Sequence, residues 1–140
     1  MARVTPGLPE KRVEAPADPW REEFFKALGV MKKKISDPEF DLPACAQELY
    51  VSERSLQRLF SRYKTTFRAQ LVKMRMELAK RYLLESRLSI AEIAARVGYS
   101  QPMHFAKAYR RYHGASPREE RRAAGLPART ANHRVERVGK

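Results

Sequence analysis

Arg54, Gln57 and Arg58 are spaced by three residues and one in the stretch SERSLQRLFSRYK, and Gln101, Met103, His104 and Lys107 crowd the start of SQPMHFAKAYRRYHG. Both stretches interleave polar or cationic side chains with apolar ones at helical spacing. A guanidinium suits guanine O6 and N7, a carboxamide suits adenine N6 and N7, and an apolar side chain such as methionine can meet a thymine methyl. The spacing therefore points to recognition of bases rather than to bond-making chemistry. His104 and His113 lie nine residues apart, which at 100° per residue puts them on opposite helix faces, unable to share a metal. The single cysteine, Cys45, leaves neither an internal disulfide framework nor a cysteine-rich zinc site. There is no glycine-rich phosphate loop and no paired carboxylate constellation, so the chain reads as a non-enzyme with no metal and no cofactor.

The charge balance agrees. A net charge of +13 and a pI near 10.3 on 140 residues make nucleic acid the leading partner, with an anionic membrane surface second. With 43% apolar residues the chain can bury a core. No run approaches the roughly 18–20 apolar residues of a membrane span, and the first residues lack the apolar stretch of a secretory signal. One cysteine fits a reducing compartment, and the expected place is the cytoplasm, on the nucleoid.

The elements that must position these residues are all helical. Residues 1–18 hold Pro6, Gly7, Pro9 and Pro16 without apolar period, an arm or linker. A helix is expected to begin near Pro19 with Asp18 as cap, burying Phe24, Leu28, Met31 and Ile35; Trp20 and Phe25 are assigned to its core as well. Asp41 caps a second short helix to Leu49, and Ser52 a third, with Leu56, Leu59, Phe60 and Tyr63 inside. A longer helix runs from about Thr66 to Glu85, its stripe drawn from Phe67, Leu71, Met74, Leu78, Tyr82 and Leu83 or Leu84. Ser89 and Glu92 form a capping-box pattern ahead of the next helix, which Gly98 ends. Ser100 is the expected cap of the following helix, with Phe105, Ala108, Tyr109 and Tyr112 inward and Gly114 as its stop. Ser116-Pro117 opens a last helix toward Ala124, and residues 125–140 form a basic tail.

Two segments repeat one plan: CAQELYVSERSLQRLFSRYKTTF and IAARVGYSQPMHFAKAYRRYHGAS. Each has a short helix with a small alanine (Ala46, Ala94), a tight turn, a serine (Ser52, Ser100) and a second helix. In that helix a large apolar residue precedes an aromatic by four positions, Leu56 with Phe60 and Phe105 with Tyr109. This is a helix-turn-helix unit occurring twice. The fold expected is all-α, with helix-turn-helix subdomains at 19–65 and 87–124 joined by a linker helix at 66–86, about seven helices in all. A linker of ~20 residues spans ~30 Å, close to the ~34 Å of one DNA turn.

Residues about 20–121 resemble the DNA-binding domain of AraC/XylS-type transcription regulators. The resemblance rests on Ile93-Ala94, Val97-Gly98-Tyr99-Ser100, Phe105, Tyr109, Gly114 and Ser116-Pro117, with Arg75, Ala79 and Leu83-Leu84 in the linker. In two places the chain departs from that pattern. Lys64-Thr65 stand where a glycine usually ends the first recognition helix, and the turn of the first unit is one residue short. Glu120 replaces a tyrosine before Arg121, which predicts weaker packing of the last helix.

The resemblance implies a bacterial regulator of transcription, with activation as the expected direction, that inserts two recognition helices into successive major grooves as a monomer. It points to Arg54, Gln57 and Arg58 as base contacts, matching their outward placement. On the second helix Gln101, Met103, His104 and Lys107 are the outward base-contact candidates. Ser52, Ser55, Arg62, Ser100, Arg110 and Arg111 are the candidate phosphate contacts. RNA polymerase is a further candidate partner. Competing readings are a non-specific architectural or RNA-binding basic protein, and a module that docks on RNA polymerase. The chain is either a regulator without a sensor domain or a piece of a longer one.

Overall fold

A computed structural model describes residues 18–126, and the expectations for the N-terminal arm and for the tail beyond residue 126 lie outside the described residues. Those residues form seven helices: α1 (Arg21–Lys33), α2 (Leu42–Leu49), α3 (Glu53–Arg62), α4 (Phe67–Glu85), α5 (Ile90–Arg96), α6 (Pro102–His113) and α7 (Pro117–Ala123). No strand occurs among them.

The caps set the boundaries. The Asp41, Ser52, Thr66, Ser89 and Ser116 side chains each accept an amide hydrogen bond at the start of their helices. Ser89 with Glu92 and Ser116 with Glu119 close full capping boxes, each satisfying two otherwise orphaned donors. Four helices end on the same backbone device, a left-handed residue whose own amide and the next both reach back to the last turn, while the left-handed Gly114 after α6 donates its own amide to Arg110. In those four it is Gly98 after α5 and Gly125 after α7, but Tyr50 after α2 and Lys64 after α3. The glycine missing after the first recognition helix is thus replaced by Lys64 at φ 58°, in the same conformation.

Two cores result. One gathers Ala27, Met31, Phe40, Cys45, Ala46, Leu56, Leu59, Phe60 and Leu71. The other gathers Met76, Ala79, Leu83, Ile93, Ala94, Val97, Phe105 and Tyr109. Helix α4 contributes to both, with Leu71 to the first and its later turns to the second. It is therefore buried on more than one face, and a single i, i+4 stripe does not describe it. Leu83 is buried and Leu84 exposed. Cys45 is wholly buried, and desolvation pushes its thiol up to about 11, consistent with a small core residue.

Several expectations are corrected. Trp20 and Phe25 are exposed rather than core, because Arg21–Lys33 turns only Ala27 and Met31 fully inward, with Phe24 and Leu28 half-buried. Pro19 precedes the helix, and Trp20 takes the N-cap position without a side-chain cap; the Asp18 carboxylate accepts the Trp20 amide instead. Ser100 does not cap α6, since the longer second turn places Gln101 there, again without a side-chain bond. Tyr112 is exposed because the stripe of α6 continues from Tyr109 to His113, whose Nε2 lies 3.0 Å from the Met76 carbonyl oxygen.

The last helix is tightly packed, contrary to expectation. Glu120 accepts from the Tyr109 hydroxyl at 3.0 Å and pairs with Lys80 at 3.6 Å. Burial first, and that carboxylate second, raise the Tyr109 pKa. The Arg121 guanidinium, 1% exposed, donates to the carbonyls of Leu83, Leu88, Tyr82 and Ser86. It thereby serves carbonyls at the C-terminal end of α4, where unpaired acceptors and the helix dipole favour a cation.

The two units meet around Arg75. Arg75 of α4 donates to the Ile35 carbonyl at 3.1 Å and the Asp37 carbonyl at 2.8 Å, in the loop between α1 and α2. Gly98, from the second helix-turn-helix, lies directly against that cluster. A Cβ there would come within 2.4 Å of the Ile35 oxygen and 2.6 Å of an Arg75 nitrogen. Gly98→Ala is therefore expected to lower stability by about 3 kcal/mol, combining a left-handed backbone with a clash. Lys64→Gly, relieving a left-handed residue with a side chain, should raise stability by about 0.5–1 kcal/mol. Urea unfolding of both variants checks the opposite signs.

Candidate nucleic-acid interface

Helix α3 buries Leu56, Leu59 and Phe60 and leaves Arg54, Gln57 and Arg58 exposed. These three lie at i, i+3 and i+4, one above another on a single face. Helix α6 buries Phe105 and Tyr109, and Gln101 at its N-cap with Met103, His104 and Lys107 along it are exposed, Met103 to 71%. Each predicted base-contact residue is thus on the solvent side of its recognition helix.

The predicted phosphate contacts are less free. The Ser52 hydroxyl accepts the Ser55 amide and donates to the Ser55 hydroxyl, both at 3.0 Å. The Arg62 guanidinium lies 4.4 Å from the Trp20 ring centroid, a cation–π contact. Arg110 pairs with Glu119 at 3.4 Å. The Ser116 amide first, and Arg110 second, hold the Glu119 carboxyl below its usual range. Such exposed pairs are worth under ~1 kcal/mol, so a phosphate can displace them. Ser100 is exposed in the turn, and Arg111 is exposed on α6.

Two features carried no sequence signal. At the foot of α3, the Asp18 carboxylate accepts hydrogen bonds from the Tyr63 hydroxyl and the Trp20 amide. Tyr63 stacks on Phe24 with centroids 4.1 Å apart. The start of α1 is thus latched to the end of the first recognition helix, with Arg62 resting on it. The second feature is a trough of about 750 Å³ between α4 and α6. Thr66, Arg68, Ala69 and Val72 form one wall; Tyr99, His104, Lys107, Ala108, Arg111 and Tyr112 form the other. It brings His104 and Lys107 together with Arg111, but not with Gln101 or Met103. Among the described residues no group of three or more His, Cys, Asp and Glu is placed to hold a metal ion, and no helix is long and apolar enough to cross a membrane.

A pair of basic, outward-facing second helices on a common long helix defines a double helix-turn-helix protein. A family described as a helix-turn-helix domain matches residues 45–123. The transcriptional activator NphR of Rhodococcus sp is 32% identical over 96 residues, covering 69% of this chain and 29% of NphR. The C-terminal domain of AraT, a response regulator from Geobacillus stearothermophilus, matches with a TM-score of 0.69 at 30% identity, over 90% of this chain and 95% of that one. The DNA-binding domain of the global transcriptional factor AdpA, solved in complex with a target DNA, matches with a TM-score of 0.65 at 28% identity, over 76% of this chain and 93% of that one. The chain belongs to the AraC-type helix-turn-helix family of transcription regulators. It spans less than a third of NphR's length.

The latch has a pH signature. The Tyr63 hydroxyl first, and the Trp20 amide second, hold the Asp18 carboxyl below its ordinary value of 3.8. A depressed carboxyl stabilises the folded latch above its unfolded pKa and loses that contribution as pH falls through the lower folded value. Trp20 is the chain's single tryptophan. Its emission is expected to hold constant down to about pH 4 and to shift below that. Asp18→Asn should already show the shifted emission at neutral pH.

Proposed function

We propose that this chain is a sequence-specific reader of double-stranded DNA that regulates transcription. Helices α3 and α6 enter successive major grooves, one from each unit, with residues 19–65 and 87–124 as the two units and 66–86 as the connector. Arg54, Gln57 and Arg58 read one block of bases, and Gln101, Met103, His104 and Lys107 the other. Ser52, Ser55, Arg62, Ser100, Arg110 and Arg111 meet phosphates and fix the register. The observation that carries this reading is the pair of recognition helices on one helix of 19 residues. That helix is about 28 Å long, against ~34 Å for a turn of duplex. AdpA's complex with a target DNA lends the same support from a related domain.

A chain holding both recognition helices needs no second copy to cover two grooves, so it binds as a monomer on an asymmetric site. The direction is activation, the one NphR's name carries, with RNA polymerase as second partner on faces that DNA leaves open. The location is the cytoplasm, on the nucleoid. A non-specific architectural role, which would use charge alone, gives no reason for the neutral side chains Gln57, Gln101 and Met103 on the outward faces.

Selection from a random DNA pool at near-physiological salt should recover two short, unlike blocks about one helical turn apart. Arg54→Ala with Gln57→Ala should then cost about 1–3 kcal/mol per lost bidentate pair at one block only, leaving the other block's preference intact. An unenriched pool, or a loss spread evenly over all sequences, would sink specific reading.

A further inference from the structure

The trough between α4 and α6 borders the outward face of α6, sharing His104 and Lys107 with it, and its chemistry is one-sided. On α6, His104, Lys107, Ala108 and Arg111 fall at i, i+3, i+4 and i+7, a single flank of that helix. On α4, Arg68 and Val72 are four apart, with Ala69 beside them. The result is a floor of Ala69, Val72 and Ala108, a rim of Arg68, His104, Lys107 and Arg111, and no carboxylate in the lining. Among the described residues no ion pair holds Arg68, Lys107 or Arg111. Arg62 and Arg110, by contrast, rest on protein partners. A groove in the first unit, lined by Lys34, Asp37, Phe40, Ala44, Gln47, Glu48 and Tyr50, mixes both signs.

We propose that this trough seats one sugar–phosphate strand of the DNA between the two half-sites, with Arg68 as a phosphate contact supplied by α4 itself. The inference rests on the DNA-reading function above. Two properties single out this occupant. The charge is complementary to a polyanion, and the apolar floor suits the deoxyribose face of a strand, which carries no charge between its phosphates. The trough is also continuous with the outward edge of α6 through His104 and Lys107, so a strand leaving the groove read by α6 passes over it without a gap. Arg68 then ties the strand to the first turn of α4, immediately after the first unit. The Arg68 contact is blind to sequence, because it touches only backbone. Its contribution is to affinity and to the path of the DNA between the blocks.

The test compares the full chain with Arg68→Ala and Arg68→Lys, each shown by circular dichroism to remain folded. Binding to the selected site and to an unrelated duplex is measured across a range of salt. For Arg68→Ala both affinities should drop together by about fivefold. The slope of log K against log salt should shallow by about 0.9, one phosphate's worth. Arg68→Lys should recover the slope. In a second arm single phosphates between the two blocks are replaced by methylphosphonates. One of them should weaken the wild type and leave Arg68→Ala unaffected. An unchanged slope in Arg68→Ala overturns the proposal on either duplex. A shallower slope with no sensitive phosphate between the blocks overturns it too, leaving Arg68 as part of a diffuse field. Failure of the wild type to prefer its selected site is a separate result, which defeats the specific-reading function and leaves the salt slope on unrelated duplex to decide the trough.

Discussion

The geometry of this domain depends on one buried guanidinium. Arg75 is 9% exposed, and burial draws its pKa down, opposed by Tyr99 and Asp37. A charge so placed is costly unless its donors are used. Arg75 uses them on the Ile35 and Asp37 carbonyls, acceptors of an irregular loop that cannot satisfy each other. The planar fork matters: two donors leave one rigid group toward two oxygens, a geometry that a lysine's point charge does not reproduce. The bare backbone of Gly98 closes over the same group from the second unit, and the Tyr99 ring centroid lies 5.9 Å away. One side chain of α4 therefore touches the loop of the first unit and the turn of the second.

That arrangement explains why a long helix with little one-sided character can organise two small cores. Apolar area alone would leave each unit free to pivot, because the two clusters share only α4. The hydrogen bonds at Arg75 fix its middle against the first unit. Those of Arg121 fix its C-terminal turn to the final helix of the second. Both arginines bind carbonyls rather than relying on a carboxylate, so the anchoring is directional and resists salt better than exposed ion pairs do. For a protein that must meet a polyanion under varying ionic strength, that is a material advantage.

The sequence showed the helices, the caps and the repeated units plainly, because period, capping residues and glycines are local signals. It also placed α3 and α6 correctly outward. Leu56, Leu59 and Phe60, or Phe105 and Tyr109, leave no other face for Arg54, Gln57, Arg58 and Lys107. What it could not show depends on tertiary neighbours. Trp20 and Phe25 look like core by type and are exposed, their rings meeting the guanidinium groups of Arg62 and Arg21 rather than apolar cover. Tyr112 and His113 differ by one position, and it is His113 that meets the Met76 carbonyl and the Tyr109 ring. Arg121 follows Glu120 instead of the family's usual tyrosine, which reads as a weak point. Glu120 in fact meets Tyr109 and Lys80, and the buried Arg121 anchors the helix. Arg68 gives no signal at all, since the first turn of a linker helix belongs to neither repeated unit.

The exposed charges divide into two kinds. Arg62 and Arg110 already interact with Trp20 and Glu119, so contact with phosphate exchanges one weak interaction for another, and the net gain is the difference. Arg68, Lys107 and Arg111 face a groove without carboxylates, so neutralising them releases no protein partner and relieves mutual repulsion. Like-charged side chains held together on a small domain raise the energy of the unbound state, and a strand of phosphates removes that strain at several positions at once. The formal charge of +13 therefore overstates the pull of some arginines and understates that of others. On the proposed reading, affinity for DNA should be concentrated where the cations have been gathered without counter-charges, beside α6.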